Sequence, residues 1–252
     1  MNPPIPISSL KGYEGVPAFI IGNGISRNSQ DVTQLAGRGL VLGCNKFVEQ
    51  EEYQKAFSGY PCWVGMVDTS MFSRVNRFKL WEHFPILTKE STPNISSRPV
   101  PLLSMTLKKF FSTGHAMIEA ALILKCYPII LVGCGSKMEA VREVKSIKYV
   151  TDNMYTESTG VFADAKHVRM YNKKTPGEPN GWYLQWRSEL NRLTRRNPDQ
   201  IYVVGDNTIY SETPWLEWAD VLCAYPKQYT AHIDESGLPI RIKVRKPSVA
   251  SA

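Results

Sequence analysis

Short apolar runs that each end in a turn of glycine, asparagine or aspartate recur along this chain, and that recurrence constrains its fold more than any other feature. Pro17-Ala-Phe-Ile-Ile21 enters Gly22-Asn-Gly24, Leu40-Val-Leu42 stops at Gly43-Cys-Asn45, and Cys62-Trp-Val-Gly-Met-Val67 stops at Asp68-Thr-Ser70. Further on, Tyr127-Pro-Ile-Ile-Leu-Val132 runs into Gly133-Cys-Gly135, and Ile201-Tyr-Val-Val204 into Gly205-Asp-Asn-Thr208. Apolar runs of this length, bounded by turn residues, read as buried strands. Between them lie segments with helical character. Phe47 to Phe57 is acidic and amphipathic, His115–Lys125 is rich in Ala, Met, Ile and Leu, and Trp182–Arg196 closes on Asn197-Pro198. Strand, polar loop, helix and strand in repetition is the pattern of a parallel sheet with crossover connections. The expected fold class is therefore α/β. Residues 1–252 are read as one Rossmann-like domain, a mostly parallel sheet flanked by helices, with a polar lid and a C-terminal hairpin.

The remaining stretches are less regular. Pro85, Pro93, Pro99 and Pro101 interrupt residues 73–111, which read as an irregular insertion with one short helix around Val75–Phe84. Residues 136–181 are polar and long enough to serve as a lid. Thr213, followed by Pro214, reads as the N-cap of another helix. Tyr229 to Val244, alternating around Glu235-Ser-Gly237, reads as the hairpin.

Composition excludes several classes. No apolar run approaches the ~20 residues that span a bilayer. The start, MNPPIPISSLKGYEG, lacks the basic and then apolar pattern of a secretory signal, so a cytoplasmic location is expected. The five cysteines, Cys44, Cys62, Cys126, Cys134 and Cys223, form no C-x-x-C pair, which favours small core residues over a zinc site or disulfides. A net charge of +7 attracts phosphates, whether on a nucleotide, a nucleic acid or a lipid, and also serves solubility.

Ligands of open α/β sheets bind beyond the carboxyl ends of the strands, so the chemistry belongs to the loops just named. Glycines let a backbone approach a phosphate, and the following helix offers unpaired amides. Asn side chains both donate and accept, which suits phosphate, ribose or base. The dinucleotide fingerprint is incomplete, because Arg27 stands where its third glycine belongs. No G-x-x-x-x-G-K-[ST] occurs either, which argues against a P-loop NTPase.

The order of the motifs is more specific than any one of them. A strand into Gly22-Asn-Gly24-Ile-Ser26, a strand into Cys44-Asn-Lys-Phe47, then Ser112-Thr-Gly114 opening an apolar helix before strand-Gly133-Cys-Gly135 resembles the Campylobacter-type bacterial sialyltransferases. It is similar also to their relatives, the archaeal-type 6-hydroxymethylpterin pyrophosphokinases. The resemblance covers about residues 17–135, more loosely to about 210. It implies that Asn23 and the backbone of Gly22 and Gly24 meet the donor's phosphate and ribose. It further implies that Asn45 contacts the nucleotide or its sugar, and that Ser112, Thr113 and Gly114 form a turn beside phosphate and base. Asp68 stands where the family has an asparagine near donor and acceptor. Two departures are visible: Ile25 replaces a proline, and Asn180-Gly-Trp-Tyr183 occupies the place of the family's catalytic histidine.

The general base therefore comes from another place. His167, in the polar segment, is the first candidate, His115 the second and Asp68 the third, since a histidine's pKa near neutrality suits proton abstraction. His83 and His232 are read as structural. Trp182, Tyr183 and Trp186 either stack on a ligand or pack in the core, and Asp206 and Asn207 either line the cleft or only turn the chain. Arg192, Arg195, Arg196, Arg241, Lys243, Arg245 and Lys246 either engage a polyanion or form solvated faces. The resulting expectation is a metal-independent glycosyltransferase with no cofactor. Its donor is a CMP- or UDP-linked sugar and its acceptor a hydroxyl group, a hydroxylated nucleic-acid base included. The alternatives are a pyrophosphokinase-like nucleotide-dependent transferase and a non-enzymatic nucleotide or nucleic-acid binding module.

Overall fold

The computed structural model describes residues 5–24, 27, 29–45, 47, 51–67, 83–89, 102–105, 112–134, 138–143, 146–151, 181–204, 213–233 and 239–244. Its centre is built from the apolar runs. Ala18–Ile21 (β2), Leu40–Cys44 (β3), Cys62–Gly65 (β4) and Ile129–Val132 (β7) are buried at every position, because helices cover both faces of the sheet. Ile5–Pro6 (β1), Ile86–Lys89 (β5), Leu102–Met105 (β6), Ile201–Val204 (β10) and Trp215–Leu216 (β11) complete nine strands. Their order is β1-β6-β5-β4-β3-β2-β7-β10-β11, and every pairing among them is parallel.

Side chains alternate between the faces. Ala18 and Ile20 join Leu42, Trp63 and Leu131 in one cluster, whereas Phe19 and Ile21 join Val41, Val64, Ile130 and Val132 in the other. The first face is closed by helix α2, Thr113–Ile123, which returns the chain from β6 to β7. Apolar residues surround α2 because it is itself buried, with Leu190 and Leu193 of helix α3 (Gly181–Arg196) in the same cluster. Met117 packs closely over β4 where residue 65 is glycine: a Cβ there would stand 2.3 Å from its sulfur and make the methionine side chain shift. The second face is closed by helix α1 (Glu51–Phe57), the short turn Val32–Leu35 and helix α4 (Trp218–Ala224). Each fully buried Ile, Leu or Phe contributes on the order of 1.5–3 kcal/mol. A slip of one residue in β2 would exchange its two sets of neighbours, so packing specifies the register.

Several sequence expectations are corrected. Residues 86–89 and 102–105, inside the stretch read as irregular, are strands β5 and β6. Pro85 marks an entry rather than a break: it needs no amide donor there, and its carbonyl still accepts from the Val64 amide at 2.9 Å. Thr213 does not cap a helix. It is buried with its hydroxyl 3.1 Å from that of Thr194, the Pro214 carbonyl accepts from the Val203 amide, and residues 215–216 extend the sheet as β11. Helix α4 begins only at Trp218, after Glu217. Within the polar 136–181 stretch, Met138–Glu143 (β8) and Ser146–Thr151 (β9) pair as an antiparallel ribbon. The expected hairpin is present as Tyr229–Ile233 (β12) against Pro239–Val244 (β13). The helix expected around Val75–Phe84 falls largely outside the described residues. No helix among the described residues is long and apolar enough to cross a membrane.

Gly39 immediately precedes β3 and lies beside the start of β2, and a Cβ at that position would approach the Pro17 carbonyl oxygen to 2.2 Å and the Phe19 ring to 3.0 Å. Gly39→Ala is therefore expected to destabilise the protein by roughly 1–3 kcal/mol. A melting temperature lowered by several degrees is the result expected in a thermal unfolding scan. An unchanged one would contradict this approach of the strands.

Candidate functional site

The strand order reverses between β2 and β7, since β3 to β6 extend to one side of β2 while β7 and β10 extend to the other. Such a reversal leaves a crevice at the carboxyl edge, where the two connections depart in opposite directions. Here the crevice is framed by Gly22-Asn23-Gly24 and Gly133-Cys134. The Gly22 amide donates to Val132 at 2.8 Å and the Gly24 amide to Gly133 at 2.7 Å, so the loop is knitted to its neighbour. Residue 22 must be glycine, because a Cβ would lie 2.3 Å from the Gly133 carbonyl oxygen. Gly133 itself has φ of 62°, the left-handed region that glycine adopts without penalty.

Arg27 secures the loop from behind. It is 1% exposed, its guanidinium donates to the Gly22 carbonyl at 2.8 Å, and it lies 5.5 Å from the ring centres of both Phe47 and Tyr53. In sequence this position registers only as a missing glycine. Its role becomes visible once the loop is folded around it.

Asn45 directly follows β3 with φ of 52°, a conformation asparagine tolerates better than most residues. Its Oδ1 accepts a hydrogen bond from the Thr113 hydroxyl at 3.0 Å, which ties the end of β3 to the first turn of α2. Ser112 is the N-cap of that helix: its backbone is extended and its Oγ accepts from the His115 amide at 3.3 Å. The same Oγ stands 3.0 Å from His115 Nδ1. With Oγ receiving the amide, its proton is placed to donate to Nδ1, so the Nε2–H tautomer of the neutral ring fits this turn. The amides of Thr113 and Gly114 have no acceptor within the helix, and the helix dipole adds positive potential there.

Gly22, Asn23, Gly24, Asn45, Ser112, Thr113 and Gly114, singled out separately in the sequence, thus meet on adjacent strand ends and one helix terminus. Asn23 is partly buried, and its Oδ1 is enclosed without a hydrogen-bond partner among the described residues. Of the candidate bases, His115 is 3% exposed and engaged with its own helix cap. His167 and Asp68 lie outside the described residues, as do Gly135, Gly205, Asp206 and Asn207 and the side chains of Trp182, Tyr183 and Trp186. His83 is exposed. Arg192 pairs with Glu189 on α3, and Arg195 and Arg196 are exposed at its end.

Cys44 and Cys134 flank Gly22 at the ends of β3 and β7. Burial pushes the Cys134 thiol up to about 12 and that of Cys44 well above its ordinary value. Burial alone raises Cys62, and Cys126 reaches about 12. These four thiols stay protonated and inert near neutrality. Cys223 is exposed. Titration of the native protein with a chromogenic disulfide reagent should modify one thiol rapidly, and the other four only after denaturation. Rapid modification of two or more in the native state would contradict the packing.

No family model matches the sequence, nor does any curated protein. Among solved structures the fold is similar to that described as the MAf glycosyltransferase from Magnetospirillum magneticum AMB-1, with a TM-score of 0.51 and 9% sequence identity. The match covers 84% of this chain and 37% of that one. At this identity the likeness establishes a shared α/β architecture, over little more than a third of the longer protein.

Proposed function

We propose that the protein is a glycosyltransferase that moves a sugar from a nucleotide-linked donor to a hydroxyl acceptor, with the donor's phosphate at the first turn of α2. The observation that carries this reading is the Asn45–Thr113 hydrogen bond, which holds the α2 terminus beside the crevice where the strand order reverses. The likeness to a fold described as a glycosyltransferase supports it.

In the reaction, the acceptor oxygen forms a bond to the anomeric carbon while the bond from that carbon to the donor's phosphate oxygen breaks. Negative charge then grows on the leaving phosphate. The Thr113 and Gly114 amides are donors fixed in advance, which stabilise that charge without reorganising. Asn45, with Oδ1 committed to Thr113, has its Nδ2 to donate to the nucleotide. Asn23 Oδ1 accepts from a ribose hydroxyl, which ends its isolation. We assign a CMP- or UDP-linked donor, no divalent metal, and His167 as the base that takes the acceptor's proton, with Asp68 as its substitute. His115, buried against Ser112, is placed as a positioning residue that holds the phosphate-binding turn.

Calorimetric titration with CMP and UDP tests the placement. Asn45→Ala is expected to weaken binding about tenfold, the scale of one hydrogen bond. Equal affinity of wild type and the Asn23→Ala/Asn45→Ala double variant would remove the donor from this crevice. Transfer in excess EDTA should continue at the full rate. Loss restored by Mg²⁺ would favour the pyrophosphokinase-like reading.

The base is tested separately. His167→Ala should lower the transfer rate roughly 10²–10⁴-fold at saturating donor while donor affinity stays unchanged. Wild-type rates in that variant would pass the role to Asp68.

A further inference from the structure

A second concavity adjoins the same loop on the opposite face of the sheet. After Gly24 the chain turns toward the side covered by α1, and a cleft of about 500 Å³ opens there. Arg27, Ser29, Gln30 and Asp31 line it from the loop, and Glu52 and Tyr53 from α1. Its volume lies within the range of sites for small organic ligands. The Arg27 side chain belongs to both places, since it walls the cleft and hydrogen-bonds the Gly22 carbonyl of the donor loop.

We propose that this cleft is the acceptor subsite and that it takes a neutral saccharide, recognised through its hydroxyl groups. The proposal rests on the transferase reading above and extends it to the second substrate. Charge is the first argument. Asp31 is held ionised by hydrogen bonds from the Thr33 hydroxyl and amide and from Gln34, which lower its pKa, and Glu52 adds a second acidic group at the rim. The Arg27 guanidinium is turned inward to a carbonyl and two aromatic rings and is 1% exposed. The two carboxylates are thus offset by Arg27 and by Lys227, which stands close enough to Asp31 to lower its pKa further, so the lining carries no net charge and suits a neutral ligand better than a nucleotide's phosphates.

Hydrogen-bonding capacity is the second argument. Gln30 lines the cleft, and its side-chain oxygen is enclosed with no hydrogen-bond partner among the described residues. An enclosed, unsatisfied amide oxygen costs about 1–3 kcal/mol. Rotation about the soft terminal torsion of Gln30 brings its amide to the cleft, where a sugar hydroxyl donates to the oxygen and another accepts from the nitrogen. The third argument is the Tyr53 ring, stacked on Phe47 at 4.9 Å and so fixed in orientation. It supplies apolar surface for the C–H groups of a pyranose.

Saturation-transfer NMR on the full chain, with glucose, galactose, N-acetylglucosamine and lactose as probes and glucosamine and glucuronate as charged controls, tests the proposal. At least one neutral probe should bind, and Gln30→Ala and Glu52→Gln should each weaken it fivefold or more while CMP or UDP affinity stays at the wild-type value. Glu52 is exposed on α1, so its substitution leaves the fold intact. Binding of glucosamine alone, of no neutral probe, or of a neutral probe equally well by both variants overturns the proposal. Loss of saccharide binding in Asn45→Ala but not in these variants assigns the sugar to the donor crevice, which sinks the cleft and spares the donor reading. Saccharide binding that depends on Gln30 in a protein with no affinity for CMP or UDP sinks the donor reading instead and leaves the cleft as a saccharide site.

Discussion

The contact on which the rest of the structure depends is the close approach of two backbones at the ends of β2 and β7. Gly22 and Gly133 meet there with no room for a side chain on the first, and with a left-handed φ on the second. These two strands are where the sheet changes direction of growth, so their pairing sets the position of everything wound to either side. Arg27 completes the joint by filling the space behind Gly22 with a guanidinium that bonds its carbonyl. Burying a charged group in this way is costly unless its donors find acceptors, and a carbonyl with two aromatic rings nearby offsets part of that cost. The expected consequence is a stiff loop, suited to present the same backbone atoms to a ligand each time.

From that joint, the placement of α2 follows. The helix packs Ala116, Met117, Ile118, Ala120 and Ala121 into the sheet, with Gly65 admitting Met117, and these contacts fix its height and rotation. The Asn45–Thr113 bond then pins its first turn laterally to the end of β3. Packing and hydrogen bonding thus aim the amino end of an eleven-residue helix at the crevice.

How far this was legible in the sequence differs by element, for physical reasons. β2, β3, β4, β7 and β10 could be read because strands buried on both faces must be apolar throughout and must end in residues that turn. β5 and β6 could not, because prolines in the sequence around them read as loop breakers; at Pro85 the sheet turns out to need only the carbonyl. Pro214 misled in the same way at β11. The seven candidate residues at the strand ends and the α2 cap were visible as separate turns, but the bond joining Asn45 to Thr113 spans 68 positions and no local pattern announces it. Arg27 carried no signal except the absence of a glycine. The cleft carried none, because its lining comes from a loop and a helix whose adjacency only the fold creates.

The division of charge around the Gly22–Gly24 loop gives this arrangement its sense. On the α2 side, two amides without an acceptor inside the helix and the helix dipole favour an anion, and no acidic residue stands in the first turn to oppose it. On the α1 side, Asp31 and Glu52 are offset by Arg27 and by Lys227 near Asp31, so neither sign prevails. A transferase must hold a phosphate-bearing donor and a hydroxyl-bearing acceptor at once, each in its own place. Under the proposed reading, a positive potential on one side of a rigid loop and a balanced lining on the other would sort the two substrates without any moving part, most strongly where the sites are shielded from bulk water. The chain's overall positive charge favours the approach of anions in general, and the first turn of α2 is where the local potential adds to it.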